Sequence, residues 1–202
     1  MANLSEVYVV DDDEAIRRSL TFLLRTAGLA SQSYDSALSF LRDADSLAPG
    51  CIITDVRMPG MDGLELVRRL KDKNLPHPAI VITGHGDIPL AVEAMKAGAI
   101  DFIEKPFKDD VLLAAVRQAL NADDKAAINT ADKRRYQEVF AGLSPREQEV
   151  LRSVVEGKTN KVIAHDFGIS PRTVEVHRAN MMMKSGARSL SELVRMALLA
   201  GI

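Results

Sequence analysis

The sequence predicts an α/β unit followed by an all-helical one: a doubly wound (βα)5 sheet over residues 1–122, then four helices within residues 140–202. Three observations predict this. Short apolar runs alternate with longer amphipathic stretches five times before residue 122, the rhythm of a parallel sheet with helical crossovers. Three of the runs, Val-Tyr-Val-Val, Cys-Ile-Ile-Thr and Ala-Ile-Val-Ile-Thr, are continuously apolar, as strands covered on both faces must be. From Leu143 onward the pattern is helical throughout, with turn signals at Gly157, Gly168, Gly186 and Gly201.

Taken in order, the expected strands are Val7–Val10, Ala30–Tyr34, Cys51–Thr54, Ala79–Thr83 and Ile100–Glu104. The helices between and after them are expected at Glu14–Ala27, Ser36–Leu41, Leu64–Lys73, Pro89–Ala97 and Asp109–Asn121. Residues 123–139 change character: Asp123-Asp124-Lys125 and Asp132-Lys133-Arg134-Arg135 are charge-rich, without Pro or Gly, and read as a partly helical linker. Leu143-Ser144-Pro145-Arg146-Glu147 opens the first helix of the second unit, with Ser at the N-cap, Pro at N1 and Glu at N3. That helix runs to Glu156. A second runs from Thr159 or Asn160 to Asp166, and Gly168-Ile169-Ser170 makes a tight turn. Ser170 and Pro171 start a third helix that ends near Lys184, and Ser189 caps a fourth that ends at Gly201. A short helix, a Gly-containing turn and a longer helix meet the requirements of a helix-turn-helix.

The bulk numbers agree with two folded units. The chain has 202 residues, 47% hydrophobic and 27% charged, an ordinary globular balance. Cys51 is the single cysteine, which excludes an intrachain disulfide or thiolate cluster and fits a reducing compartment. The acidic N-terminus has no leader-like basic and apolar regions, and no apolar run has the ~18–20 residues of a membrane span, so a cytoplasmic location is expected. Residues 1–122 carry 13 Lys and Arg against 18 Asp and Glu, whereas residues 141–202 carry 9 against 6. An acidic first part and a mildly basic last part point to nucleic acid as the partner of the second unit.

In an open α/β sheet, polar residues at strand C-termini face the ligand crevice. Here Val10 runs into Asp11-Asp12, Thr54 into Asp55, Ile82 into Thr83, and Ile103 into Glu104-Lys105. Three carboxylates, a hydroxyl and an ammonium are therefore expected along one sheet edge. Crowded carboxylates need a cation, and an all-oxygen set with room for water suits Mg²⁺. Beside such an ion and Lys105, Asp55 is a poor base but a workable nucleophile toward a phosphoryl group. Any one of these residues could be a simple helix N-cap; all five together make that reading weak. Lys105-Pro106 marks a tight turn of the kind that is sometimes cis.

Val-Val-Asp11-Asp12, Asp55-Val-Arg57-Met-Pro59-Gly60, Ile-Thr83-Gly84 and Phe102-Ile-Glu-Lys105-Pro106-Phe107 resemble the complete signature of response-regulator receiver domains, in order over residues 4–122. The resemblance implies a flavodoxin-like fold with Asp55 as phospho-acceptor. It also implies Mg²⁺ bound by Asp12, Asp55 and the Arg57 backbone carbonyl, with Asp11 acting mainly through water. Lys105 and Thr83 would contact the phosphoryl group, and Phe102 would be the aromatic that turns inward with Thr83. The stretch His85–Phe107 is similar to the FixJ subfamily, which implies a phosphorylation-dependent homodimer through a face built from about residues 88–120. His85 itself, a loop histidine between the two glycines Gly84 and Gly86, reads as uninvolved.

On the third helix of the second unit, Val174, His177 and Met181 share one face and are expected to point to the core. Arg172, Glu175, Val176 and Ala179 then face outward, with Arg178 and Lys184 toward a flank. The segments Leu143–Leu151, Asn160–Ala164 and Ile169–Asn180 resemble the LuxR-type output domain. The resemblance implies a motif over residues 160–179 in which Glu175, Val176 and Ala179 approach bases while Lys161, Arg172 and Thr173 lie near phosphates. It further implies that Leu193, Met196 and Leu199 of the fourth helix supply a dimer contact.

The combined expectation is a two-component regulator, phosphorylated on Asp55 by a sensor histidine kinase and acting as an activator on promoter DNA, with RNA polymerase as a further partner. Its only chemistry would be Mg²⁺-dependent self-phosphorylation and slow self-dephosphorylation. A Mg²⁺-dependent phosphoryl hydrolase is a different class of reading, disfavoured because Arg57 stands where a second catalytic acid would be needed. A DNA-binding protein that ignores phosphorylation is disfavoured by the intact pocket.

Overall fold

The computed structural model describes residues 6–75, 77–84, 88–121 and 130–202. The described residues within Met1–Gly86 and Ala97–Ala126 form one compact unit, and those within Asp87–Lys96 and Ala127–Ile202 a second.

The first unit is built on strands β1 (Glu6–Val10), β2 (Ala30–Tyr34), β3 (Gly50–Asp55), β4 (Ala79–Thr83) and β5 (Asp101–Glu104), all parallel and ordered β2-β1-β3-β4-β5. Between them in the chain run α1 (Glu14–Thr26), α2 (Ala37–Asp43), α3 (Gly63–Asp72) and α4 (Ile88–Ala97), of which α4 up to Lys96 groups with the second unit, and α5 (Asp109–Leu120) follows β5. The sequence-expected elements differ from these by a residue or two at their ends. The doubly wound sheet is confirmed.

Alternation decides how the sheet is covered. Val7, Val9, Cys51, Ile53, Ile80, Ile82 and Ile103 are buried together with Leu20 and Leu24 of α1 and Leu112, Val116 and Ala119 of α5. Tyr8, Ile52 and Val81 point to the opposite face, and α2 and α3 add Phe40, Leu64, Leu66, Val67 and Leu70 to the buried set. Each such aliphatic side chain contributes roughly 1.5–3 kcal/mol when taken out of water. Edge strand β2, Ala-Ser-Gln-Ser-Tyr, is mostly exposed, and its polar residues suit an unpaired border.

The second unit contains α6 (Thr130–Ala141), α7 (Pro145–Val155), α8 (Asn160–Phe167), α9 (Pro171–Ser185) and α10 (Leu190–Ala200). Its core is formed by Phe140, Leu143, Val150, Leu151, Val154, Ile163, Val174, Met181, Leu193, Val194 and Ala197. The linker expected over 123–139 lies partly outside the described residues; its later part is α6, which ends as a member of this core through Phe140. Gln137 Nε2 donates to the Ala200 carbonyl at 2.9 Å, and Gln148 Nε2 to the Phe140 carbonyl at 3.3 Å, so α6 is tied to both α10 and α7. Among the described residues no helix is long and apolar enough to cross a membrane.

Candidate functional site

Parallel pairing brings the expected pocket residues to one sheet edge. Asp55, the last residue of β3, is opposite Ile82 on β4, and Thr83 is opposite Glu104 on β5. Lys105 follows β5 directly, and its backbone N–H donates to the Thr83 carbonyl at 2.7 Å. The Lys105–Pro106 peptide is cis. The lysine side chain folds back over the edge, with Nζ 2.7 Å from Asp55 Oδ1 and 3.3 Å from Asp11 Oδ2.

Both acids are held from a second side. The Arg57 amide donates to Asp55 Oδ2 at 2.7 Å, and the Asp13 amide donates to Asp11 Oδ1 at 2.9 Å. Asp11, Asp55 and Thr83 are buried, while Asp12 and Arg57 are exposed and Phe102 is half-buried. Burial pushes the Asp11 carboxyl above the ordinary carboxylate range, against the Asp13 amide and the Lys105 charge.

The three carboxylates do not close into a ready cage, and among the described residues no three His, Cys, Asp or Glu side chains gather tightly enough to hold a metal ion. Asp11 and Asp55 meet across the Lys105 ammonium, which already supplies counter-charge, and Asp12 stands in solvent beside them. The donor chemistry still fits a hard, partly hydrated divalent ion, since every candidate ligand is an oxygen and one of them is open to water. His85 lies outside the described residues.

Gly63 was not singled out in the sequence. It is the first residue of α3, and a Cβ there would collide with the Asp55 backbone carbonyl. Its N–H also donates to the Val56 carbonyl at 2.9 Å. This close approach fixes the turn that presents Asp55, and the only sequence signal for it was a glycine directly after the capping Asp62, where a residue with a side chain would be a better helix former.

In the second unit, α8 and α9 form the expected motif. Gly168 ends α8 with φ 65°, a left-handed cap that glycine adopts without strain. Ser170 caps α9, its Oγ accepting from the Thr173 amide at 3.1 Å and lying 2.9 Å from Thr173 Oγ1. Val174 and Met181 are fully buried, and His177 is half-buried. Lys161, Arg172, Glu175, Val176 and Ala179 are exposed, and Thr173 is partly so. Val176 is 53% exposed, an apolar tip on an otherwise polar face, which is what contact with a thymine methyl or a base edge requires.

Arg178 and Lys184, expected toward a flank of that face, each have a partner within the unit. Arg178 is half-buried and donates from Nη1 to Asn160 Oδ1 at 3.1 Å. Lys184 Nζ lies 3.0 and 2.7 Å from the two oxygens of Glu147, a buried carboxylate at the start of α7 that needs a counter-charge. That ammonium and the Ser144 amide hold the Glu147 carboxyl down at about 2. Leu193 and Met196 of α10 are buried within the unit, so of the three apolar residues expected to form a dimer contact only Leu199 is partly exposed. Arg146, also unremarked in the sequence beyond its place in the helix start, donates to the Phe167 carbonyl at 2.8 Å and stacks 4.4 Å above the Phe167 ring, holding α7 against the end of α8.

Comparison with known proteins agrees with this architecture. Residues 7–117 match the response regulator receiver domain, and residues 141–197 match the luxR family of bacterial regulatory proteins. The transcriptional regulatory protein FixJ of Bradyrhizobium diazoefficiens is 50% identical over 202 residues, spanning 100% of this chain and 98% of that protein. The response regulator protein TodT of Pseudomonas putida is 45% identical over 191 residues, spanning 95% of this chain and 84% of its own length. Among solved structures, full-length FixJ from B. japonicum has 50% identity and a TM-score of 0.58, with 98% of this chain and 97% of that one covered. The response regulator StyR follows at 42% identity, a TM-score of 0.56, and coverage of 96% and 98%.

Proposed function

Because the chain belongs to the response regulators that join a receiver domain to a luxR-family DNA-binding domain, and is a two-component transcriptional regulator, we propose that Asp55 is its phospho-acceptor and that phosphorylation drives dimerisation and binding to promoter DNA. The observation that carries this reading is the Lys105 ammonium 2.7 Å from Asp55 Oδ1, on the same edge as the buried Thr83.

A sensor histidine kinase presents a phosphohistidine. An Asp55 carboxylate oxygen attacks phosphorus, the P–N bond breaks, and the departing imidazole keeps the electron pair and takes up a proton. Mg²⁺ held by Asp11, Asp12, Asp55 and the Arg57 carbonyl would neutralise charge on the phosphoryl oxygens when bound. Lys105 contacts the new phosphate, exchanging one carboxylate charge for about two phosphate charges. The Thr83 hydroxyl turns to the same group, and Phe102, two places before Glu104 on β5, follows it inward. Only a state that binds the dianion better is favoured by it.

The dimer uses the face built from about residues 88–120, and two copies of α9 then reach half-sites about one helical turn apart. Glu175, Val176 and Ala179 approach bases, and Lys161, Arg172 and Thr173 approach phosphates. The protein acts in the cytoplasm as an activator that contacts RNA polymerase, and its own chemistry is limited to gaining and slowly losing the Asp55 phosphoryl group.

Acetyl phosphate with Mg²⁺ tests the reading. Peptide mass spectrometry should find the phosphoryl group on Asp55, sizing should report a dimer, and affinity for promoter fragments should rise. Asp55→Asn should remain folded and show none of the three. An unmodified Asp55, or a modified protein that stays monomeric with unaltered DNA affinity, would overturn it.

A further inference from the structure

We propose that Arg178 is a positioning residue of the DNA-binding face rather than a phosphate contact: it struts the recognition helix α9 against the first residue of α8 through Asn160. This rests on the DNA-binding reading of the second unit and deepens it.

Two arginines of α9 are used in opposite ways. Arg172 extends into solvent, as a side chain that meets phosphate should, whereas Arg178 is half-buried. Its Nη1 donates to Asn160 Oδ1 at 3.1 Å, while its Nε–H is sealed from solvent with no hydrogen-bond partner among the described residues. Burial draws the guanidinium below its usual range, and the neighbouring Glu175 opposes this. Desolvating a guanidinium and leaving one N–H unpaired is costly, so the group is kept inward by what it fixes.

The location shows what that is. Asn160 is the first residue of α8, directly after the Thr159 N-cap and directly before exposed Lys161. Arg178 lies on α9 two residues beyond exposed Val176 and one before exposed Ala179. The far end of the same helix pair is set by the Gly168 turn, where the Ile169 amide donates to the Ala164 carbonyl at 3.0 Å. Val174 and Met181, buried in the core, hold the inner face of α9, and the bond from Arg178 Nη1 to Asn160 Oδ1 ties its outer flank to the start of α8. With the strut in place, Lys161 on one helix and Arg172, Glu175 and Val176 on the other keep one spacing.

Salt dependence separates a strut from a phosphate contact. Each phosphate neutralised contributes about 0.9 to the slope of log K against log salt on duplex DNA. The full-length protein with a phosphodonor would first be used to select a binding duplex from a random pool. Affinities for that duplex and for an unselected one would then be measured across salt for Arg178→Met, Arg178→Lys, Asn160→Ala and the double variant Asn160→Ala/Arg178→Met.

Arg178→Met should lose roughly tenfold in affinity for the selected duplex, with affinity for the unselected duplex and both salt slopes unchanged, because only base register is disturbed. Arg178→Lys should fail to restore it, since an ammonium lacks the planar, directed N–H that meets Asn160 Oδ1. Asn160→Ala should show the same loss with its arginine intact, and the double variant should be no worse than either single one. A slope reduced by about one, equal losses on both duplexes, or full rescue by lysine would overturn the strut. Should the parent protein select no duplex, the DNA-binding reading itself fails, a result distinct from any behaviour of the variants.

Discussion

Lys105 Nζ lies 2.7 Å from Asp55 Oδ1, although the two residues are 50 positions apart in the chain. The same ammonium reaches Asp11 Oδ2 at 3.3 Å, so one cation links two largely buried acids, one directly after β1 and one at the end of β3. The edge is thereby neutralised from within, and an arriving divalent ion or phosphoryl group competes for charge that is already partly balanced.

Replacing that lysine should therefore have two opposed effects. Lys105→Met leaves Asp11 and Asp55 facing each other without counter-charge and should cost the first unit roughly 2–4 kcal/mol in metal-free buffer. Added Mg²⁺ should restore part of that stability, and more of it than in the parent protein. Urea titrations with EDTA or with millimolar Mg²⁺ give both differences, and equal Mg²⁺ responses in variant and parent would contradict the balance described.

Gly63→Ala places a methyl group against the Asp55 carbonyl. The strand end must move, so a destabilisation of about 1–3 kcal/mol is expected together with slower phosphorylation. Thermal melts and acetyl phosphate time courses report the two effects. Alanine at the exposed Gly84, where a Cβ meets nothing within 4 Å, is the control.

The Glu147–Lys184 pair predicts a pH dependence. With the native carboxyl at about 2, below its ordinary value of 4.5, Glu147 stabilises the fold above the ordinary value, and the contribution fades as pH falls from there toward 2. Glu147→Gln should cost roughly 1–3 kcal/mol at pH 7 through the lost ion pair with Lys184, since a glutamine oxygen can still serve the α7 capping box. The gap between variant and parent should narrow between pH 5 and pH 3, on the order of the span between the two values. Calorimetry of the full chain, following the transition of the second unit, measures it; a gap that widens on acidification would refute the assignment.

Glu175 is an exposed negative charge at the tip of α9. Glu175→Lys should raise affinity for unselected duplex DNA by roughly tenfold at low salt and steepen the salt slope by about one. Fluorescence anisotropy at several salt concentrations is sufficient. No change would mean that this helix does not face the duplex.

Cys51 is fully buried in β3, and burial pushes its thiol far up from the ordinary value. The folded chain should resist alkylation by iodoacetamide at neutral pH and become labelled only in denaturant, as a mass shift would show.

Much of this was legible along the chain because it is local. The continuous apolar run Val7 to Val10, the capping box at Ser144 and Glu147, and the glycine at 168 each follow from a few neighbouring residues. The expected places of Asp11, Asp55, Thr83 and Lys105 followed in the same way, since parallel strands of similar length must end together. What the chain could not disclose is which way a long charged side chain turns. Lys184 and Arg178 lie on helical faces next to the solvent side, and periodicity assigned them no partner; Glu147, 37 residues away, pairs with the still exposed Lys184, and Asn160, 18 residues away, with the half-buried Arg178. Leu193 and Met196 similarly belong to a core that only the packing of α10 against its neighbours defines. Short-range rules determine what each segment is, whereas the partner of a flexible ionic or apolar side chain is decided by desolvation and counter-charge once distant segments have met.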